Sequence, residues 1–251
     1  MEVTILGTGA ACPGPGEACS GFLVREDGSS LLVDCGTGIV GVLQKHVQLE
    51  SVANIVISHM HADHFFDLIP YRYALRYWIK SATKGRPRLH LPPGGIKQIT
   101  EVVSVFAETD RFFFEVFDIS EYDAKVPLRA GPLTLTFAAA KHYIPTHSIS
   151  LASDTRVVYS SDTGLCPEVE RLAHCADLLI CNIGAPPGAN RHETWGHLYP
   201  HDAGLLAERS GVKRLLLSHA WPGDPHKYVS EARRGYTGSI EMAVSGRTYI
   251  P

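Results

Sequence analysis

The 251-residue chain has no apolar run near the ~20 residues a membrane span needs, so no spanning helix is expected. Its first residues, Met1-Glu2-Val3-Thr4-Ile5-Leu6-Gly7, lack the basic and long apolar regions of a secretory leader and read as a strand. A soluble, cytoplasmic protein is the expectation. Neither sign of charge dominates, with 23 Lys and Arg against 26 Asp and Glu. That balance argues against bulk attraction to nucleic acid, while a local basic patch is still allowed. No CxxC spacing occurs among Cys12, Cys19, Cys35, Cys166, Cys175 and Cys181. A chain with 45% apolar residues buries a core without disulfides, so reduced thiols are expected. No internal repeat of usable strength, low-complexity tract or linker divides the sequence, and residues 1–251 read as a single domain.

One run is dense in chemistry. Ser58-His59-Met60-His61-Ala62-Asp63-His64 places three imidazoles and a carboxylate directly after the apolar Asn54-Ile55-Val56-Ile57. An apolar run ending in a polar cluster suggests a buried strand delivering ligands from its C-terminal end. On an extended segment alternate side chains share a face, so His59 and His61 can approach one ion together. If a helix begins after His61, Asp63 and His64 point elsewhere and can hold a second ion. Imidazoles with a few carboxylates suit zinc, with manganese or iron as alternatives. The bland alternative is a polar loop with a helix N-cap at Asp63.

Short apolar runs recur along the chain. Residues 2–6, 20–24, 30–33, 54–58, 88–91 and 112–119 read as strands, with helices over 37–46, 65–81 and 96–107. Pro70 is expected to kink or end a turn of the second helix. Strands over 133–138, 148–152, 156–160, 177–181, 214–218 and 240–244 follow, with helices over 167–175, 201–210 and 228–234. Strands in both halves with helices between them suggest two packed sheets covered by helices.

Three more polar residues stand where apolar runs end: His142, Asp162 and His219. Alone, a strand-end His is more often a hydrogen-bonded structural group, and Asp162-Thr163-Gly164 is an ordinary turn. Jointly they complete two sites, with His59, His61 and His142 on one ion, Asp63, His64 and His219 on the other, and Asp162 between.

These residues resemble the metallo-β-lactamase fold superfamily from residue 6 to about 246. His59, His61, Asp63 and His64 match its His-x-His-x-Asp-His pattern, and the later ligands fall on His142, Asp162 and His219. Asp34, in Leu32-Val33-Asp34-Cys35-Gly36, matches the Asp that supports the cluster by orienting ligand imidazoles. The resemblance implies an α/β fold, an αββα sandwich of two mixed β-sheets flanked by helices, with two metal ions at one edge. Within the superfamily, Leu6-Gly7-Thr8-Gly9, Ser161-Asp162-Thr163-Gly164 and Gly196-His197-Leu198 resemble the ribonuclease Z-like branch. His197 then matches the His that contacts the scissile phosphate. The His-Glu-Ala-Thr motif of ribonuclease Z is replaced here by Cys181-Asn182-Ile183-Gly184. A tight hairpin between the His142 and Asp162 segments leaves no room for a tRNA-gripping arm.

The expected activity is therefore a dinuclear metal-dependent phosphodiesterase acting on a nucleotide or short RNA through a metal-bridging hydroxide, with Asp63 and His197 catalytic. Alternatives are a ribonuclease Z-type tRNA 3′-processing endonuclease and an acyl hydrolase for thioesters or lactones. A metal-binding module without turnover is least favoured. Two Zn(2+) per chain are expected, with Mn(2+) or Fe as substitutes. A small molecule or short nucleic acid is the expected partner, no membrane is, and a homodimer is allowed. The aromatic and basic stretch of residues 71–80, continuing to Lys84, Arg86 and Arg88, can stack a base and neutralise phosphate, with Arg72, Arg76 and Tyr77 as candidates. Its plainer reading is an amphipathic helix packed on a sheet. Loops at residues 186–190 and 221–225 are expected to shape the pocket.

Overall fold

In the computed structural model, residues 1–79, 85–107, 109, 111–185, 190, 192 and 194–251 are described. The first half supplies strands β1 (Glu2–Gly7), β2 (Gly21–Glu26), β3 (Ser29–Val33), β4 (Asn54–Val56), β5 (Arg88–Leu91) and β6 (Asp118–Glu121). The second half supplies β7 (Leu128–Ala130), β8 (Leu133–Ala139), β9 (His147–Ala152), β10 (Arg156–Tyr159), β11 (Leu178–Asn182), β12 (Arg214–Ser218) and β13 (Ser239–Met242). A last strand, β14 (Thr248–Tyr249), returns to pair with β1. Among the described residues these form two sheets, in the orders β14-β1-β2-β3-β4-β5-β6 and β13-β12-β11-β10-β9-β8-β7.

Alternation along the strands builds three apolar layers. Leu31 and Val33 of β3 face the space between the sheets, where they join Val157 and Tyr159 of β10. Leu32 points the other way, into an outer layer with Ile39, Leu43, Leu68 and Tyr71. On the second sheet Val158, Leu179 and Leu215 face outward against Val169, Ala203 and Leu206. Helices α1 (Ile39–Leu43), α2 (Ala62–Phe65), α3 (Leu68–Tyr73) and α4 (Gly95–Val103) lie in the first half, and α5 (Pro167–Ala173), α6 (Pro200–Ser210) and α7 (Pro225–Ala232) in the second. Strands apolar on both faces need cover on both, and the outcome is the expected αββα sandwich. No helix among the described residues is long and apolar enough to cross a membrane.

Each sheet changes sense once, in the same place. In the first, β3 runs antiparallel to β2 and parallel to β4. In the second, β10 runs antiparallel to β9 and parallel to β11. Loops leaving the carboxyl ends of strands at such switch points diverge and leave a crevice between them. Asp34 follows β3, and Asp162 follows β10 by three residues.

Two elements differ from expectation. Of the strand expected over 112–119 only Asp118 and Ile119 are extended, as the start of β6; tight turns precede them, with Glu115 N–H donating to the Arg111 carbonyl and Phe117 N–H to the Phe113 carbonyl. Phe112, Phe113, Val116 and Phe117 are all buried in the outer layer. Their spacing is the 3.6-residue period of a helical turn, so the period rather than the composition decides. The helix expected over 65–81 is divided. Asp67 interrupts it, its carboxylate accepting Val40 N–H at 2.8 Å. Pro70 falls in the first turn of α3, where its missing N–H costs little, and the chain then widens into a π-helical turn over Ala74–Ile79. Lys80 to Lys84, the end of that expected segment, lie outside the described residues.

Gly36 shows how closely the elements approach. A Cβ there would stand 1.8 Å from the Asp63 carbonyl oxygen, which also accepts Ser20 N–H. Gly36→Ala must push the 58–64 segment outward, at an expected cost of about 1–3 kcal/mol in urea unfolding. Metal content measured on the folded variant should fall with it; a variant as stable as the parent would contradict this packing.

Candidate metal centre

The 58–64 segment leaves β4 extended and turns into α2 at Ala62, with His61 as the extended residue before the helix. His59 and His61 therefore share one direction and Asp63 and His64 another. His61 Nδ1 stands 3.2 Å from His59 Nε2 and 3.0 Å from His142 Nε2. Nitrogens held at ~2.0–2.1 Å by one tetrahedral ion stand about 3.4 Å apart, so this spacing suits a shared cation. His219 Nε2 stands 3.3 Å from His64 Nε2 and 3.0 Å from Asp63 Oδ2. Asp162 belongs to both groups, with Oδ2 3.8 Å from His59 and His142 and 3.6 Å from His64. His59, His61, His142 and Asp162 form one group able to bind a metal ion; Asp63, His64, Asp162 and His219 form the other.

Tautomers are fixed from behind. His142 Nδ1 donates to the Gly196 carbonyl at 2.8 Å, and His64 Nδ1 donates to Asp34 Oδ2 at 2.7 Å. Each leaves its Nε2 lone pair facing the centre. His59 Nδ1 lies 3.0 Å from Ser58 Oγ, which itself donates to Asp34 Oδ2 at 2.9 Å. Asp34 thus orients two imidazoles, one directly and one through Ser58. Its Oδ2 also accepts from Tyr159 Oη, and its Oδ1 accepts Ser58 N–H.

The electrostatics suit a cation. Burial lowers the pKa of His61 and His142, and burial with the nearby His64 takes His59 well below the ordinary imidazole value, so these three stay neutral. Burial opposes charge on Asp63 as well, but the His219 hydrogen bond and His64 prevail and bring it to about 2. At Asp162 the imidazoles of His219 and His64 likewise overcome burial and hold the carboxyl well below its usual range. Burial disfavours charge on His64, yet Asp162 and Asp34 raise it well above the usual value. That proton is the one an ion would displace.

His197 reaches the same place from the loop before α6. Its ring stacks over His219 at 6.1 Å and meets His142 edge-on at 4.9 Å. Its Nδ1 lies 3.9 Å from Asp162 Oδ2, and burial lowers its pKa to about 4. His61, Asp63, Asp162, His197 and His219 all line one cleft of about 260 Å³.

Arg72, Arg76 and Tyr77 do not line this cleft. Arg72 is buried, its Nη2 2.6 Å from Glu115 and its guanidinium 4.2 Å from the Phe112 ring centre. Arg76 pairs with the same Glu115 at 3.3 Å, and Tyr77 is exposed. Packing against Phe112 and Glu115 accounts for Arg72. Of the expected pocket loop at 186–190, residues 186–189 lie outside the described residues.

Two residues of the centre escaped the sequence reading. Asn182 Nδ2 donates to Asp162 Oδ1 at 2.9 Å and to Tyr159 Oη at 3.0 Å, so it orients the shared carboxylate. It ends the run Leu178-Leu179-Ile180-Cys181, the same signal that singled out the ligands. Gly184 carried no signal of its own: a Cβ there would lie 2.5 Å from His197 Nδ1 and 2.8 Å from His219 Nδ1.

This sandwich and this donor set define a metal-dependent hydrolase of the metallo-β-lactamase fold. Over residues 1–185 the sequence matches the family described as "Anti-Pycsar protein Apyc1", and the chain belongs to that family. It is similar to the probable metallo-hydrolase YhfI of Bacillus subtilis, at 29% identity over 98% of each chain. The crystal structure of YhfI superposes with a TM-score of 0.88 over 99% of this chain and 98% of that one, at 25% identity. Ribonuclease Z of Mycobacterium bovis is 26% identical over 96% of this chain and 95% of its own. The short form of human tRNase Z shares the fold, with a TM-score of 0.76 at 22% identity over 100% of this chain and 99% of that one.

Two substitutions test the assignment by elemental analysis and chelator competition. His61→Ala should lose most of one ion per chain and keep the other; full metal content would refute its place. Asp34→Asn turns an amide N–H toward groups that already donate, and should weaken metal binding about 10–100-fold. Unchanged affinity would show that Asp34 does not orient the ligands.

Proposed function

We propose that the protein is a dinuclear, zinc-dependent phosphodiesterase acting on a nucleotide or short RNA. The observation that carries this reading is Asp162, one buried carboxylate common to two complete donor groups. Two-metal centres of this kind suit in-line displacement at phosphorus. When bound, two divalent ions would polarise a phosphoryl oxygen and lower the pKa of a water.

The chain's own residues supply the rest. Asp63 lines the cleft with Oδ2 tied to His219, and its carboxylate is placed to orient the attacking water and accept its proton. His197 lines the same cleft and is placed to hydrogen-bond charge developing on the phosphoryl or leaving oxygen. Gly184 lets both imidazoles approach by having no side chain. The small cleft supports a mononucleotide-sized group. Residues 153–155 close the hairpin between β9 and β10, with Ser153 N–H donating to Thr155, which favours a short substrate over tRNA.

His197→Ala should keep both metals and lower kcat on a phosphodiester by about 10²–10⁴-fold. An unchanged rate would remove His197 from the reaction. Bis-p-nitrophenyl phosphate, cyclic nucleotides and acyl thioesters assayed in parallel test the reaction class. Acyl turnover without phosphodiester turnover would overturn the phosphodiesterase reading.

A further inference from the structure

The cleft has one wall that the metal centre does not use. Every ionisable side chain lining it is a candidate metal ligand or His197; the other lining residues are Ala10, Ala11, Ala62, Gly184 and Trp221. Four are small and one is a large flat ring. The chain reaches Trp221 through His219, whose left-handed backbone (φ 54°) ends β12 and turns its imidazole into the centre. Ala220 N–H then donates to the Thr8 carbonyl, and Ala10 N–H to the Ala220 carbonyl. The indole N–H donates to the Gly184 carbonyl at 3.0 Å, and Tyr228 Oη donates to the Trp221 carbonyl at 3.0 Å. Four hydrogen bonds to three separate segments hold residues 220–221 at the cleft. With its N–H engaged, the indole offers a substrate only its carbon framework.

We propose that Trp221 is a specificity-determining residue that receives the planar base of a nucleotide substrate, placing its phosphodiester against the His and Asp centre. This deepens the phosphodiesterase reading and rests on it. A rigid indole loses little conformational freedom on binding, and stacking of a base on an aromatic side chain is tolerant of base identity. The other lining residues outside the centre, Ala10, Ala11, Ala62 and Gly184, are small and take up little of the cleft. Among the described residues no other that lines the cleft offers an aromatic surface outside the imidazoles of the centre.

The test compares two esters with the same leaving group, thymidine 5′-p-nitrophenyl phosphate and methyl p-nitrophenyl phosphate, on the metal-loaded protein. Trp221→Ala should raise KM for the nucleoside ester about tenfold more than KM for the methyl ester, with little change in kcat. Trp221→Phe, which keeps a ring and gives up the bond to Gly184, should recover most of the difference. Metal content and thermal midpoint measured on both variants identify any loss that comes from misfolding. Equal effects on the two esters, or no effect on the nucleoside ester, would overturn the proposal. If the parent protein turns over neither ester, the phosphodiesterase reading fails by itself. Equilibrium binding of thymidine 5′-monophosphate against ribose 5-phosphate then decides the role of Trp221: a preference for the nucleotide that Trp221→Ala abolishes supports it, and a preference that survives refutes it.

Discussion

One buried carboxylate holds the two halves of this protein together where the chemistry lies. Asp34 is fully buried between the sheets. Its Oδ2 accepts three hydrogen bonds, from Ser58 Oγ, His64 Nδ1 and Tyr159 Oη. Ser58 and His64 belong to the segment after β4 of the first sheet, and Tyr159 ends β10 of the second. Desolvating an unpaired carboxylate costs several kcal/mol, so the fold tolerates Asp34 only while those donors stay in place. The dependence is mutual. The donors stay oriented because the carboxylate is there, and one of them is a candidate metal ligand.

Asp34 has a counterpart across the interface. Each sheet passes from antiparallel to parallel pairing at one strand, β3 in the first and β10 in the second. Asp34 follows one and Asp162 the other. Asp34 and Ser161 each hold a left-handed backbone, at φ 56° and 52°, and His219 does so at 54°. A non-glycine residue in that region costs of order 1–3 kcal/mol, and such residues persist where surrounding packing over-determines them. Three of the five among the described residues lie at the candidate metal centre. Sharp turns there bring a side chain from a strand end into the crevice instead of back over the sheet. One buried Asp then faces the scaffold and the other is shared by the two candidate donor groups, with Asn182 and Tyr159 linking them.

The candidate ligands stand out because their signal is local. His59, His61, His142, Asp162 and His219 each stand where an apolar run stops, and two-residue spacing with a helix after His61 is enough to divide the 58–64 segment between two ions. The two packed sheets followed from strand runs in both halves with helices between them, and the αββα sandwich from the family resemblance. Residues 112–117 were misread because Phe and Val raise strand propensity while their spacing is helical. What the sequence does not display is close approach. The need for glycine at position 184 appears only when His197 and His219, 13 and 35 residues further on, are folded against it. The same holds for Arg72, whose partner Glu115 comes from a segment 43 residues away. A basic residue amid aromatics reads as a phosphate contact until that carboxylate is found beside it.

That last point bears on how a substrate phosphate is held. Among the described residues no Lys or Arg lines the cleft. The basic residues nearest in sequence to the metal segment, Arg72 and Arg76, are spent on Glu115. With a net charge of -3, the chain gives no general pull on an anion either. Imidazoles and two carboxylates form a place for cations, and bound cations would then supply the positive charge that meets a phosphoryl group. Recognition and reactivity are therefore concentrated in the same few ångströms. The contacts involved are buried, so salt screens them far less than it would screen a surface of lysines. A protein with no Lys or Arg among the described residues of its cleft can in this way act on a phosphodiester, provided the substrate is small enough to bring its phosphate to the centre.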